Sequence, residues 1–177
     1  LWWWWFIWRM VMQFIKRLLK HLFASNRATK NVFTDESLKK IEAAIAKSEV
    51  SHSGQIRFIV ETSLSPQALF NQQTPRERAL EVFSLFRVWD TANNNGVLIY
   101  LLMADRDFEI VADRNIHNLA GEDYWRTVSN EMAELLRGRN FEEGVLHGIE
   151  RIHQVLRYHF SAEVITPNEL PDKPIII

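Results

Sequence analysis

NGVLIYLLMADRDFEIVADRN, residues 95–115, holds two strands with no room for a crossover between them. Val97 to Ala104 is continuously apolar, which suits a strand covered on both faces. Asp105-Arg106-Asp107 is a short connection, and Phe108 to Ala112 is the next strand. A parallel crossover needs a dozen residues or more, so the two strands form an antiparallel hairpin. Upstream, Gln55 to Thr62 alternates, with Ile56, Phe58 and Val60 on one side, and reads as a strand. After a loop from Ser63 to Gln73, Thr74-Pro75-Arg76-Glu77 starts a helix: a Thr cap, Pro at the first position and Glu three residues after the cap. Ala79, Val82, Phe83, Phe86 and Trp89 are its inward face, and Asp90 to Gly96 is a turn-rich loop. A helix between the first two strands predicts that they run parallel.

Further out, Thr34 caps a helix with Asp35 and Glu36 in its first turn, where carboxylates suit the dipole, and with Phe33 and Leu38 as a hydrophobic staple. Gly121 to Gly138 reads as a helix through Trp125, Val128, Met132 and Leu136. Asn140 is placed to cap a last helix, with Glu143 at the capping-box position and a stripe of Val145, Ile149, Ile152, Leu156 and Phe160. Gly144 and Gly148 permit a close helix contact, and Glu143 and His147 are spaced to pair. The fold class is α/β: a small mixed sheet, one parallel pair plus an antiparallel hairpin, with helices on both faces. The organisation is a segment 1–23, a polar basic linker 24–33, a domain 34–160 and a Pro-containing tail 161–177.

The net charge of -1 over 177 residues hides a split. Arg9, Lys16, Arg17, Lys20, Arg27 and Lys30 make residues 1–34 +6 with no acid, and the remainder is -7. An acidic domain would repel nucleic acid, so no such partner is expected. The absence of Cys excludes disulfide scaffolds, thiolate zinc sites and Cys nucleophiles. Neither a G-x-x-x-x-G-K-S/T loop nor a G-x-G-x-x-G fingerprint is present, and no organic cofactor is expected.

Trp2, Trp3, Trp4, Trp5 and Trp8 crowd the start of the chain, and Trp suits the headgroup layer. Leu1 is not a start residue, so the stretch reads as the visible end of a longer span or as an interfacial segment. From Met10 to Phe23, Val11, Phe14, Ile15, Leu18, Leu19 and Leu22 recur at helical spacing, opposite Gln13, Lys16, Arg17, Lys20 and His21. That is a basic amphipathic helix, the pattern that lies in a membrane interface and is drawn to anionic lipid. A helix covering the domain's own core is the competing reading. Charge follows the apolar run and no small-residue cleavage site precedes Ala24, unlike a secretory leader. The membrane reading puts contacts at Trp2, Trp3, Trp4, Trp5, Trp8, Phe14, Lys16, Arg17 and Lys20. If the run spans, the positive charge that follows it puts the domain on the cytoplasmic side of the inner membrane.

The loops sort onto two sheet edges. Glu61, Asp105 and Asp107 lie at one; Asp90, Asn93 to Asn95, Asp113, Asn115, His117, Glu122 and Asp123 lie at the other. Oxygen-rich clusters favour calcium, magnesium or manganese. The same residue types also serve as turn formers and helix caps, and both readings stand. Asp105-Arg106-Asp107 matches the D-x-D spacing of aspartyl-phosphate phosphatases, but the chain re-enters a strand at once.

Several segments carry a family resemblance: Ser53-Gly54-Gln55-Ile56-Arg57, Asn95-Gly96-Val97-Leu98-Ile99-Tyr100, Ala112-Asp113-Arg114-Asn115-Ile116, Gly121 with Trp125, and Arg139-Asn140-Phe141-Glu142-Glu143-Gly144-Val145. From about Phe33 to Phe160 the chain resembles the TPM-domain family, whose members include bacterial proteins and a plant thylakoid-lumen acid phosphatase-like protein. It looks most like the short bacterial subtype, in which A-D-R recurs; here those are Ala104-Asp105-Arg106 and Ala112-Asp113-Arg114. The resemblance implies an α/β/α sandwich and divalent-metal binding, by Ca or Mg, at Asn94, Asn95, Asp113, His117 and Asp123. The glycine-rich G-x-G-x-E of better-studied relatives is replaced by Asp113-Arg114-Asn115-Ile116-His117, and an acid before N-G by Asn94. Two functions are carried forward. One is an accessory or assembly factor on a membrane or membrane-protein complex. The other is a metal-dependent phosphate-ester hydrolase, in which the metal polarises phosphate oxygens and activates water.

Overall fold

The structure is a computed structural model that describes residues 2–162 and 167–177. Leu1 and the part of the expected tail at 163–166 lie outside the described residues. The order is α1 (Trp2–Phe23), α2 (Asn26–Val32), α3 (Asp35–Glu49), β1 (Gln55–Glu61), α4 (Pro66–Phe70), α5 (Pro75–Leu85), β2 (Gly96–Leu102), β3 (Asp107–Ala112), α6 (Arg114–Ala120), α7 (Glu122–Arg137), α8 (Phe141–Phe160) and β4 (Ile175–Ile176).

β1 and β2 pair in parallel, from Gln55 opposite Gly96 to Glu61 opposite Leu102. β3 returns antiparallel on β2, and the sheet order is β3-β2-β1-β4. The mixed sheet agrees with the sequence expectation. Its fourth strand does not come from any periodic stretch: Ile175 and Ile176 add in parallel beside Ile59 and Val60. The tail is therefore an edge strand. Gln55 Oε1 accepts the backbone N–H of Glu169 and of Leu170, each at 2.9 Å, and Arg57 donates to the carbonyls of Pro171 and Lys173. A two-residue strand has little pairing of its own, so these side-chain ties hold it in register.

Strand alternation divides the core. Phe58, Val60, Ile99, Leu101 and Ile110 face α3, α7 and α8, with Ile41, Met132 and Ile149 packed on them. Ile59, Leu98, Tyr100, Leu102 and Val111 face Leu69 of α4 and Ala79 and Val82 of α5. This is a three-layer sandwich. Gly96 is required where β2 begins, because a Cβ there would lie 2.0 Å from the Val88 carbonyl oxygen. Gly148 lets α8 approach Met132 of α7, as its spacing with Gly144 suggested.

Local signals at three helix starts differ in outcome. Thr34 accepts from Ser37 N–H, and Thr74 with Glu77 forms a complete capping box. Asn140 makes no side-chain cap, so the expected box with Glu143 is not formed. His147 does not pair with Glu143 either; it lies 2.7 Å from Glu131 on α7. The expected linker holds α2, capped by Ser25, and the Ser63–Gln73 loop holds α4, capped by Ser65.

α1 runs unbroken from the tryptophans and docks only through its C-terminal half. Leu18 packs on the α4–α5 side of the core, and the rings of Phe14 and Phe70 are 5.8 Å apart. Arg17 Nε donates to Asp105 Oδ2 at 3.0 Å. His21 is buried; its Nδ1 accepts the N–H of Leu64 at 2.9 Å, and its Nε2 lies 3.2 Å from Asp105 Oδ1. Burial alone would raise the Asp105 pKa, but His21 and Arg17 hold it below its ordinary value. Phe14 and Arg17, expected on the membrane side, instead tie the helix to the domain. Asp105→Ala removes the acceptor of Arg17 and the carboxylate beside His21; it is expected to cost about 1–3 kcal/mol in urea unfolding. It should also open the Phe23–Ser25 junction to limited proteolysis.

Candidate functional site

The loop before β2 and the turn after β3 meet at the end of the sheet where β1 and β2 begin. Asp113 N–H donates to the Gly96 carbonyl at 2.9 Å, and Asn115 N–H donates to the Asn94 carbonyl at 3.2 Å. Asn115 Nδ2 adds a bond to the Asn93 carbonyl at 2.9 Å. Asn94 sits at φ 50°, a left-handed conformation that Asn tolerates better than most residues. These backbone links bring Asn94, Asn95 and Asp113 together.

Asn95 is fully buried. Its N–H donates to Thr91 Oγ1 at 3.1 Å and its Nδ2 to Ser53 Oγ at 3.3 Å, but Oδ1 has no hydrogen-bond partner. Asp113 is the N-cap of α6. One oxygen accepts the Arg114 N–H at 2.7 Å, and the other, also buried, has no partner. Buried acceptors are nearly always satisfied, so two orphan oxygens on neighbouring loops call for a donor or a cation.

The other residues of the expected set are engaged elsewhere. Asn94 Oδ1 accepts from Arg114 at 3.3 Å. His117 Nε2 lies 3.5 Å from Glu122, and Asp123 is turned to solvent, paired with Arg126. Among the described residues, no three His, Asp or Glu side chains cluster as a metal set. Within the expected set, Asn95 Oδ1 and Asp113 Oδ2, one amide and one carboxylate oxygen, are the buried atoms left without a hydrogen-bond partner among the described residues.

α6 was not expected from the sequence. Its signals are Asp113 as cap, Ile116 buried in the core, and Gly121 at φ 83° closing the helix. At the same sheet end, His52 Nδ1–H donates to the Gly54 carbonyl at 3.0 Å, which leaves Nε2 as a buried lone pair. The His153 ring is 5.4 Å away. Burial, and then His153, push the His52 pKa down to about 4. Glu49 accepts the Ile56 N–H at 2.8 Å; burial, with Asp172 adding repulsion, raises it to about 8 against that bond.

The opposite sheet end holds a closed network. Glu61 accepts two bonds from Arg78, at 2.8 and 3.1 Å, and one from Tyr100 Oη at 2.7 Å. Burial first, and then the Glu61 charge, drive the Tyr100 pKa up. A cleft of about 560 Å³ lies over this network, beside Ser65, Glu77 and Glu81. With every Glu61 bond satisfied within the protein, the network reads as structural. Glu61 and Tyr100 share a sheet face, and that alternation was the sequence signal for it.

A family model for the TPM domain matches residues 27–155. The chain belongs to the TPM-domain family. Its fold is similar to the NMR structure of the BA42 protein from the psychrophilic bacterium Bizionia argentinensis. That match has 30% identity and a TM-score of 0.70, and covers 81% of this chain and 94% of that one. No curated protein matches. The TPM-domain match starts at residue 27, so α1 lies outside it.

Both titrations bear on stability at the β1 end. His52 is held neutral, so its contribution is full above pH 6.5 and is lost as pH falls towards 4. Glu49 is held protonated, so its contribution is full below pH 4.5 and is lost as pH rises towards 8. Glu49→Gln keeps the acceptor for Ile56. The variant is expected to match the parent in urea unfolding near pH 4.5 and to exceed it at pH 8. Parallel curves across that range would contradict the assignment.

Proposed function

We propose that this TPM-domain protein is an accessory or assembly factor held by α1 at the cytoplasmic face of the inner membrane, or on a membrane-protein complex there. The observation that carries this reading is the apolar stripe that docking leaves uncovered. Phe14 and Leu18 turn to the domain, while Val11, Ile15, Leu19, Leu22 and Phe23 stay exposed, Phe23 at 83%. The stripe continues into Trp2, Trp3, Trp4, Trp5 and Trp8, with Trp2 at 87%. Contiguous apolar surface of this kind marks a membrane or protein contact. Arg9, Lys16 and Lys20 border it, which favours an anionic leaflet. Among the described residues no helix is long and apolar enough to cross a membrane. α1 has 22 residues, but Arg9, Lys16, Arg17 and Lys20 interrupt its apolar run, so it would lie along the interface rather than across it.

The test is flotation of the full chain with vesicles containing phosphatidylglycerol, read with tryptophan fluorescence. Binding with a blue shift is expected. Leu19→Glu with Leu22→Glu, both at exposed positions, should weaken binding at least roughly tenfold without lowering the unfolding midpoint. Unchanged binding of that variant would reject the reading.

A second reading rests on the orphan oxygens. Asn95 and Asp113 would hold Ca or Mg, and a bound metal supplies Lewis-acid polarisation for phosphate-ester hydrolysis. Arg114 beside Asn94 would contribute a phosphate-facing cation. Calcium or magnesium is expected to raise the unfolding temperature, and Asp113→Asn, which keeps an oxygen for the α6 cap, should abolish the rise. A shift that survives this substitution would remove the assignment.

A further inference from the structure

We infer that the pocket between the end of α1, α2, the β2–β3 turn and the α7–α8 turn binds the phosphate of an anionic phospholipid. This rests on the membrane reading of α1 and names the lipid class it selects. The pocket holds about 560 Å³, and Lys20, Arg106 and Arg139 line it together with Phe23, Met103 and Phe141. Among the described residues, no acidic one lines it. Among the described residues, none of the three cations forms an ion pair, although the chain carries 22 acidic residues. Three unopposed cations over an apolar wall match a phosphate with the first carbons of its glycerol and acyl chains. Guanidinium groups suit phosphate because they offer paired donors in one plane.

Arg106 and Arg139 sit at φ 56° and 63°, in the left-handed region where glycine is at ease. In both places the conformation closes a turn, Arg106 between β2 and β3 and Arg139 after α7. The placement agrees as well. Lys20 and Phe23 belong both to the pocket and to the exposed side of α1, so a helix lying in the interface sets the pocket mouth at headgroup level. The partner commits to a membrane lipid, because a free phosphate has no use for the apolar wall.

The experiment measures full-chain binding to phosphatidylcholine vesicles with and without phosphatidylglycerol. It compares Arg106→Gly/Arg139→Gly with Arg126→Gln/Arg137→Gln. The glycine pair relieves the two left-handed positions, so folding is not at risk. The control pair removes the same charge from α7, where both arginines pair with acids of their own helix. The glycine pair is expected to lose roughly fivefold per arginine on phosphatidylglycerol vesicles and nothing on phosphatidylcholine, with the control near the parent. Equal loss in both pairs would reduce the effect to net charge and overturn the pocket. Normal binding by the glycine pair would overturn the pocket and leave the membrane reading standing. No vesicle binding by the parent would overturn both. Glycerol phosphate competing as well as the lipid would overturn the lipid assignment in favour of a soluble ligand.

Discussion

Parallel pairing of β1 with β2 is the constraint on which the rest of the structure depends. A parallel pair cannot be closed by a tight turn, so α4 and α5 are spent on the crossover. Both strands are buried along their whole length, so helices must cover both faces. α3, α7 and α8 take one face, and α4, α5 and the inner half of α1 take the other. Even Arg57 and Glu61, charged residues of the central strand, are held by bonds to the tail and to Arg78 rather than by water.

The two sheet ends follow from that pairing. Where β1 and β2 begin, the Asn93–Asn95 loop and Asp113 are stitched together by backbone bonds, and two oxygens remain without donors. Where they end, the carboxylates are consumed internally: Glu61 by Arg78 and Tyr100, Asp105 by Arg17 and His21. Asp105 thereby becomes the anchor of α1, and the neighbouring Arg106 is freed to line the pocket beside it. The A-D-R of the hairpin turn is thus a docking device in this chain. Its chemistry lies in the contacts of neighbouring residues rather than in the D-x-D spacing.

Legibility tracked the range of the signal. Thr34 and Thr74 announced their helices because capping is written within four residues. Asn140 carried the same signature without forming it. His147 sat one turn from Glu143, yet Glu131 on the neighbouring helix took it. Of the five expected cation residues, Asn94, Asn95 and Asp113 meet because loop and turn are sheet neighbours. Asp123, at an exposed helix start, pairs with Arg126. The orphan oxygens were not legible, since a missing partner is a property of what surrounds an atom.

Motifs in the sequence carried the family resemblance. By itself the sequence determined β1, β2 and β3, their parallel and antiparallel senses, and a basic aromatic helix at one end. Each depends on periodicity, connection length or composition, which are local. Only the tertiary structure decided that the tail supplies β4, that Asp113 caps α6, and that α1 turns one side to the domain and leaves its apolar stripe bare. Those outcomes rest on pairings between residues far apart in the chain, such as Arg17 with Asp105, 88 positions away, and Arg57 with Lys173, 116 positions away. No local pattern encodes such pairings, because which partner wins is settled by packing.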